Sequence, residues 1–433
     1  MANRREAWFE QANGFLDPGL IRELKRLREA GIDEEQEAVP VIVSFDHQVE
    51  SSIRQEALDL CSTGSCNEVH GELRTPKGFY GKISPGTIRR LTEQDGVRKV
   101  FHDREVRSFL DVARKSSGVT EVQAQEGLTG KGVTIAVIDT GSHPHVDLMK
   151  PDSRIVAFAD LVGGEEEPYD DQGHGTHCAG DAAGNGHLSE GLYAGPAPEA
   201  KLVGVKVLDK NGSGQLSQVI KGVEWCVENR EKYDIRILSL SLGAPAFESY
   251  RDDPLAQAVE AAWHSGLVVC AAAGNEGPYP GTISTPGHDP VILTVGSADD
   301  RNTVDRKDDV KASYSSRGPT LDLLVKPDIY APGTNIISLS VPGSPLEEQM
   351  PENRVNEYYI NLSGTSMATP FCAGVAALLL EANPTLSPND VKSILKFTAQ
   401  PMEGDQAGYL DVGRAVEMAE KYRSFQKEAQ LKG

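Results

Sequence analysis

The sequence has few cysteines, few aromatic residues and no long apolar run. Its six cysteines are scattered over 433 residues at spacings that match no zinc pattern, and a chain of this size is not a disulfide scaffold. No apolar run approaches the roughly 18 residues that cross a bilayer. The first twenty residues lack the continuous apolar segment of a secretory signal. These absences predict a cytoplasmic protein without a membrane partner, whereas a leader removed beforehand would predict secretion.

Basic residues are also in short supply. The 43 lysines and arginines are outnumbered by 64 aspartates and glutamates, which gives a net charge of −21. Residues 1–110 carry only −3 of this charge, so −18 lies on the rest of the chain. Because such a surface repels phosphate groups, we expect neither nucleic acid nor an anionic membrane as a partner. The plainest interpretation of the acidic excess is solubility.

The length and the pattern of the first part predict a small leading domain. A single core rarely grows beyond about 250–300 residues, so one large and one smaller domain are expected. Segments with strand or helix character lie at 39–45, 52–61, 72–84, 87–94 and 97–101. Their order is typical of a small α+β sandwich. We predict an N-terminal extension and propeptide-like domain over residues 1–112, with an exposed polar linker at 110–120.

Residues 113–433 show the pattern of a parallel sheet. Continuous apolar segments, which are typical of strands buried on both faces, alternate with helical segments. The strand segments are 133–138, 202–207, 235–240, 267–272 and 291–295, and the helical ones are 177–183, 216–228, 254–265 and 369–382. The predicted fold class is α/β, a mainly parallel sheet with helices on both faces, preceded by the small α+β domain.

Three separated segments carry residues suited to nucleophilic catalysis. Asp139 ends an apolar strand in VIDTG, at the sheet edge where ligand sites of open α/β folds lie. His174 begins a helix among small residues in GHGTHCAG, and Ser366 precedes a helix in GTSMATP. A serine nucleophile needs a base to take its proton, and the base needs an acid to fix its tautomer. Asp139, His174 and Ser366 would supply these three roles.

On these three motifs the sequence resembles the subtilisin-like serine proteases, the subtilase family, which have the same Asp, His, Ser order. The likeness extends over residues 127–416. The stretches GPAPEAKLVGVKVL, GVEWC and SSRGPT look like the signal-less intracellular alkaline serine proteases of bacilli. The resemblance implies a serine endopeptidase of broad specificity that cleaves proteins and peptides by acyl transfer. It implies no cofactor for the chemistry itself.

The resemblance also implies roles for residues outside the triad. Asn275 would donate its side-chain amide to the oxyanion, helped by the backbone N–H of Ser366. Ser284 would form the floor of the S1 pocket. Two segments would hold an extended peptide by β-augmentation, Ser241, Leu242 and Gly243 on one side and Gly212, Ser213 and Gly214 on the other. Since main-chain hydrogen bonds do not select side chains, this predicts broad sequence tolerance.

Two further features are expected of this family. The leading domain would be an intramolecular chaperone and inhibitor that the enzyme removes itself, because parallel sheets fold slowly and gain from a template. The alternative is a permanent regulatory or targeting domain. A structural calcium ion would bind Asp147, with partners from the loop at 185–191. Calcium takes about 6–8 oxygen ligands, and that loop holds few carboxylates.

Other residues near the motifs have plainer interpretations. His177 lacks the HExxH form of a zinc site, so we expect a packed, hydrogen-bonded histidine. Cys178 and Cys372 are expected to be small buried residues, with sensitivity to oxidation or heavy metals as the alternative. Asp170, Asp171 and Glu276 would favour basic substrate side chains or would only be solvated.

Two other functions compete with a general protease. One is a processing protease with a single protein substrate. The other is a catalytically idle protein that keeps the fold and acts by binding. The complete triad and Asn275 argue against an idle protein, because such a protein would tolerate their loss.

Overall fold

The structure is a computed structural model that describes residues 7–12, 14–33, 37–46, 49–62, 66–73, 77–102 and 109–432. The chain divides into two units, Met1–Arg107 and Ser108–Gly433. Each unit has a buried apolar core of its own.

The first unit is built on an antiparallel sheet with the strand order β2-β3-β1-β4. Its strands are β1 Val39–Phe45, β2 Glu68–Leu73, β3 Gly78–Ile83 and β4 Val97–His102. Its helices are α1 Trp8–Gln11, α2 Pro18–Glu29, α3 Ser51–Ser62 and α4 Pro85–Leu91. The single segment predicted at 72–84 is the end of β2 and all of β3.

The second unit carries the large sheet. Its strands are β5 Thr134–Asp139, β6 Ile155–Asp160, β7 Lys201–Lys206, β8 Ile235–Leu240, β9 Val268–Ala272, β10 Leu293–Asp299, β11 Val310–Lys311, β12 Ile329–Pro332, β13 Ile336–Leu339, β14 Tyr359–Leu362, β15 Gln400–Pro401 and β16 Gly408–Tyr409. Its helices are α5 Phe109–Ser116, α6 Val119–Glu126, α7 Val146–Met149, α8 His174–Ala183, α9 Leu216–Tyr233, α10 Pro254–His264, α11 Pro345–Gln349, α12 Thr365–Ala382, α13 Pro388–Thr398 and α14 Val412–Lys432.

The strand order of the large sheet is β15-β16-β12-β10-β9-β8-β5-β7-β6, with β11 added beside β10. The strands from β12 to β6 pair in parallel, and only β11 and β15 pair antiparallel to a neighbour. Every residue of β5 is buried, as expected for a parallel strand covered on both faces. The predicted α/β class with a mainly parallel sheet is therefore confirmed. The carboxyl ends of β5, β8 and β9 lie side by side at one edge of the sheet.

Helix α12 runs through the core of the second unit. Among the described residues it is the one helix long and apolar enough to cross a bilayer, and 89% of it is buried inside the protein. An apolar surface all around a helix is expected for such a core helix. Pro370 lies inside α12 rather than in its first turn. Because proline has no N–H, the carbonyl of Ser366, four residues earlier, is left without its helical partner.

The segment predicted as an exposed linker at 110–120 is helical. It forms most of α5 and the start of α6, and Ala113 and Val119 are buried in the core of the second unit. The serines that made this segment look like a linker are buried as well. Ser117 Oγ donates to the carbonyl of Ala113 at 2.6 Å, which satisfies its hydroxyl inside the fold. The prediction failed because apolar residues too sparse to form a clear pattern in the sequence find a partner surface in the tertiary structure.

Candidate active site

Asp139 and His174 form a close pair at the edge of the large sheet. Asp139 is the last residue of β5 and is completely buried. Its Oδ1 lies 2.7 Å from His174 Nδ1 and accepts a hydrogen bond from Thr140 N at 2.8 Å. His174 is the first residue of α8, and its side chain is 22% exposed. In this geometry the Asp139 carboxylate can hold the proton on His174 Nδ1. His174 Nε2 is then the nitrogen that can take a proton from a nucleophile.

Asp170 holds the beginning of α8. Its carboxylate accepts hydrogen bonds from the backbone N–H groups of Gln172, Gly173 and Thr176 and from the Thr176 hydroxyl, at 2.7–3.1 Å. An anionic acceptor at a helix N-terminus satisfies donors that would otherwise be orphaned. Asp170 is therefore part of the scaffold, and its side chain is 5% exposed. The prediction that it could select basic substrates is wrong.

Ser366 is the second residue of α12 and lies beside Ser241, the residue that follows β8. Its Oγ donates to the carbonyl of Ser241 at 3.0 Å, while Ser241 Oγ donates to the carbonyl of Ser366 at 2.9 Å. The second bond uses the carbonyl that Pro370 leaves free within α12. The helix interruption thus ties the candidate nucleophile to a predicted substrate-binding residue.

Cys178 links Ser366 and His174. It lies one turn after His174 in α8, with its Sγ 3.8 Å from His174 Nδ1 and 3.4 Å from the Ser366 carbonyl oxygen. Burial raises the pKa of the thiol to about 11, so it remains neutral at ordinary pH. Cys178 and Cys372 are both fully buried, as expected from the sequence. Packing beneath the candidate triad explains Cys178 without a chemical role.

Asn275 is oriented by a residue that the sequence did not suggest. Its Oδ1 accepts hydrogen bonds from Thr365 N at 2.9 Å and from Thr365 Oγ1 at 3.1 Å. Because the oxygen is taken by these donors, the amide nitrogen points to the other side. A Cβ built on Gly364 would lie 3.4 Å from Asn275 Nδ2 and 3.5 Å from Ser366 N. Both nitrogens therefore lie within 3.5 Å of one point, as the donors of an oxyanion hole must.

Six of the seven predicted substrate-binding residues line one cleft with a volume of about 570 Å³. The cleft is lined by Thr140, Gln172, His174, Leu208, Asn211, Gly212, Ser213, Gly214, Leu216, Val219, Ser241, Leu242, Gly243, Ala244 and Leu255. The two predicted segments, 212–214 and 241–243, are both among them. Apart from His174, none of the described residues that line this cleft carries an ionisable side chain.

Ser284 lies outside that lining but beside two of its walls. A Cβ on Gly243 would come within 3.0 Å of Ser284 Cβ, and one on Gly274 within 2.3 Å of Ser284 Oγ. Gly274 also has a φ of +106°, which disfavours any side chain. The chain segments that lead to Ser241–Gly243 and to Asn275 thus both meet at Ser284. This position suits the floor of a pocket between them, which remains a prediction.

The electrostatics of His174 follow from its partner. Burial by itself lowers its pKa, but the neighbouring Asp139 carboxylate outweighs burial and leaves the pKa well above the usual range. A general base must be neutral to take a proton. The geometry therefore predicts activity that grows as pH rises through this elevated pKa.

Lys206 is a buried cation that sequence reasoning missed. It is completely buried at the end of β7, and its Nζ donates to the Thr140 carbonyl at 2.6 Å, Asp171 Oδ1 at 2.6 Å and the Leu208 carbonyl at 2.8 Å. These three groups belong to the turn after Asp139, the segment before His174 and the segment that follows β7 into the cleft. Asp171 pairs with Lys206, and its side chain is 42% exposed. A lysine at the end of a buried strand was the available signal.

The surroundings of Asp147 do not fit a calcium ion. Asp147 is fully buried, and its carboxylate accepts hydrogen bonds from Leu188 N at 3.0 Å and from the Tyr359 hydroxyl at 2.6 Å. The Arg154 guanidinium donates to the carbonyls of Asp147, Ala183 and Ala200. A cation needs oxygen acceptors that converge on one point. Here N–H and O–H donors and a guanidinium already use those acceptors.

His177 is a packed residue of α8. It is fully buried, with Nδ1 3.0 Å from Asp181 Oδ2 and Nε2 3.2 Å from the Ile360 carbonyl oxygen. Both ring nitrogens have partners within the fold. The expectation of a hydrogen-bonded structural histidine is confirmed.

Comparison with known proteins agrees with this geometry. The model of the subtilase family matches residues 130–420. Serine protease AprX of Bacillus subtilis (strain 168) is 47% identical over 363 residues, which cover 82% of this chain and 81% of AprX. An alkaline protease of Alkalihalobacillus alcalophilus is 36% identical over 369 residues, 84% of each chain. The solved structure titled S41 Psychrophilic Protease has 31% identity and a TM-score of 0.53, and the match covers 65% of this chain and 89% of that one.

The chain belongs to the subtilase family and is a subtilisin-like serine endopeptidase. The resemblance stated from three motifs is thereby confirmed.

Proposed function

We propose that Ser366, His174 and Asp139 are the catalytic triad of this endopeptidase. The observation that carries the proposal is the 2.7 Å contact of His174 Nδ1 with the buried Asp139 carboxylate, beside the cleft that His174 lines. The Cys178 thiol contacts both the His174 ring and the Ser366 carbonyl oxygen, which places Ser366 close to this pair. In the reaction we expect Ser366 Oγ to leave the Ser241 carbonyl, to which it now donates, and to donate to His174 Nε2.

The reaction we propose is acyl transfer in two halves. His174 takes the Ser366 proton as Oγ attacks the peptide carbonyl, and Asp139 stabilises the imidazolium that forms. Asn275 Nδ2 and Ser366 N donate to the oxyanion. His174 then protonates the leaving amine, and water hydrolyses the acyl-enzyme. In this second half His174 takes a proton from the attacking water and gives it to Ser366 Oγ as the acyl-enzyme breaks down, which restores the starting state.

We propose broad sequence specificity. Glycines in both segments expose main-chain groups to the cleft, and the uncharged lining selects neither acidic nor basic side chains. A peptide-library profile with many cleaved sequences would support this, whereas a single cleaved motif would favour a dedicated processing enzyme.

The first unit is proposed to be a propeptide that the enzyme removes. Its support is its own buried core, around a sheet that does not share strands with the large one. A folded unit of this kind can act as a template for slow parallel-sheet closure. Action in the cytoplasm is a further part of the proposal.

Intact mass and casein hydrolysis test these proposals together, on the wild type, Ser366→Ala and Ser363→Ala. Ser363 is a matched control because it is a nearby serine whose Oγ accepts from Asn335 N at 2.8 Å and has no part in the triad. We expect the wild type and Ser363→Ala to lose the first unit and degrade casein, while Ser366→Ala does neither. Casein hydrolysis by a wild type that stays full length would contradict the propeptide proposal but not the triad. Activity in Ser366→Ala would contradict the triad.

A further inference from the structure

The hairpin between β10 and β11 brings two acidic residues together. In this antiparallel pair Ala298 faces Lys311 and Asp299 faces Val310. Asp300 and Asp309 are the next residues of the two chain segments, on the loop side of this pair. Like charges at neighbouring positions of two adjacent strands are destabilising.

Both carboxylates are buried and only partly satisfied. Asp300 is 3% exposed, and its Oδ1 accepts from Asn302 N at 3.0 Å. The Asp309 side chain is 5% exposed, and its Oδ2 accepts from Arg306 Nε at 3.2 Å. The other oxygens, Asp300 Oδ2 and Asp309 Oδ1, are buried without a hydrogen-bond partner in the described part of the chain. A buried carboxylate oxygen left in this way is costly.

The charges around the pair do not balance it. Arg306 contacts Asp309, but its guanidinium also lies over the Tyr409 ring, 3.9 Å from the centroid. Burial and the nearby carboxylates of Asp309, Asp299 and Asp308 together raise the pKa of Asp300 to about 7, although the hydrogen bond from Asn302 N lowers it. Burial raises the pKa of Asp309 to about 6, with Arg306 opposing and Asp308 adding to the shift.

We propose that Asp300 and Asp309 bind a hard divalent cation of the calcium or magnesium class at the base of this hairpin. The class follows from the ligands, since carboxylate oxygens suit hard cations. An ion held between the two oxygens that lack a hydrogen-bond partner would bind each of them at about 2.1–2.6 Å. Main-chain carbonyls and water would complete the shell. The site is separate from the catalytic pair and from Asp147.

The hairpin is joined to the oxyanion hole through the backbone. Gly333 N donates to the carbonyl of Ala298 in β10 at 3.3 Å, and Gly364 N donates to the carbonyl of Gly333 at 2.8 Å. Gly364 lies beside the two candidate oxyanion donors. A cation that stiffens the hairpin would therefore also stabilise the segment that precedes Ser366.

Thermal unfolding of the full-length Ser366→Ala protein tests the site without interference from self-digestion. After treatment with EDTA, calcium, magnesium and manganese chlorides are added separately at equal ionic strength. At a hundredfold excess over its Kd, the preferred ion should raise Tm by about 3 °C. In the same background Asp300→Asn and Asp309→Asn should abolish the rise. Both amides keep the oxygen that accepts the existing hydrogen bond, so we expect them to fold.

Two control variants separate this site from other sources of cation binding. Asp308→Asn changes an exposed carboxylate of the same hairpin, and Asp147→Asn changes the position expected from the family. Both should keep the rise in Tm. A rise that only Asp147→Asn abolishes would overturn the proposal.

The pH dependence distinguishes a bound cation from a bound proton. Since the folded pKa values lie above the unfolded ones, stability in EDTA should fall between about pH 4 and pH 7, as the buried carboxyls ionise. The cation should remove most of this fall. A fall that no added ion reverses would show that the pair holds a proton instead, and would overturn the proposal.

Discussion

Two buried carboxylates of the large sheet, Asp139 and Asp300, have opposite electrostatic surroundings. Each follows or ends a parallel strand and is at most 3% exposed. Asp139 has an imidazole 2.7 Å away that can take up positive charge, whereas Asp300 has one backbone N–H and another carboxylate across a hairpin. A buried carboxylate with a basic partner can serve in proton transfer. One without such a partner needs a charge from solution.

The largest expected effect is on the partnered carboxylate. Asp139→Asn should lower kcat by about 10⁴-fold, because the amide favours the wrong imidazole tautomer and no longer stabilises the cation. Steady-state kinetics on a peptide substrate would measure it. Asp300→Asn in a catalytically intact chain with added cation provides the comparison and should change kcat far less. A similar loss in both variants would contradict the distinction between the two carboxylates.

The next effect concerns the oxyanion donor. Asn275→Ala should lower kcat by about 10²–10³-fold with little change in KM, since the donor acts mainly on the charge that develops in the transition state. Glu276→Ala alters the adjacent exposed side chain and should leave kcat within a small factor of the wild type. A change confined to KM in Asn275→Ala would place this residue in ground-state binding.

Gly364, which lies close to the two candidate oxyanion donors, gives a sharper test of where the oxyanion binds. The Cβ of Gly364→Ala would make ordinary contacts of 3.4–3.6 Å with its neighbours, so the variant should fold with a nearly unchanged Tm. That methyl group would stand where the oxyanion is expected, and kcat should fall by roughly 10²-fold. Gly413→Ala in α14 is the control. Full activity in Gly364→Ala would exclude the assigned oxyanion position.

A smaller effect is expected at the buried lysine. Lys206→Met removes the ammonium that joins the segments on both sides of the candidate pair and should lower kcat by about tenfold through misplacement. Asp171→Asn keeps the ammonium and its two carbonyl partners and should have a weaker effect. If Lys206→Met and Asp171→Asn lowered Tm equally and left kcat unchanged, Lys206 would only stabilise the fold.

The smallest effect is a displacement of the pH profile. In the wild type, kcat/KM should increase with pH through an apparent pKa above the usual value of about 6.5, because Asp139 favours imidazolium. Asp139→Asn should move this limb to lower pH in its residual activity. An unmoved limb would show that another group controls it.

Motif residues were predictable from the sequence because each stands at the end of an apolar strand or the start of a helix. Asp139, His174 and Ser366 are of this kind. The partners that orient Asn275 and Asp147 were not predictable. Thr365 contacts Asn275 from 90 positions away in the sequence, and Tyr359 contacts Asp147 from 212 positions away. Such contacts depend on tertiary packing, which local patterns do not encode.

The hairpin illustrates the same limit. Five aspartates between 299 and 309 look like a solvated acidic loop in the sequence. Only the tertiary structure shows that Asp300 and Asp309 adjoin the paired residues of β10 and β11 and have buried side chains. The parallel sheet itself was recoverable because its strands are continuously apolar, whereas the antiparallel addition of the two-residue β11 left no pattern.

The most direct test of the catalytic assignment is covalent labelling with a serine-reactive fluorophosphonate, followed by peptide mapping. The account predicts one label on Ser366 in the wild type, much slower labelling in Asp139→Asn and none in Ser366→Ala. A label on another residue, or equal labelling rates in wild type and Asp139→Asn, would contradict the assignment of Ser366 as a nucleophile activated by the His174–Asp139 pair.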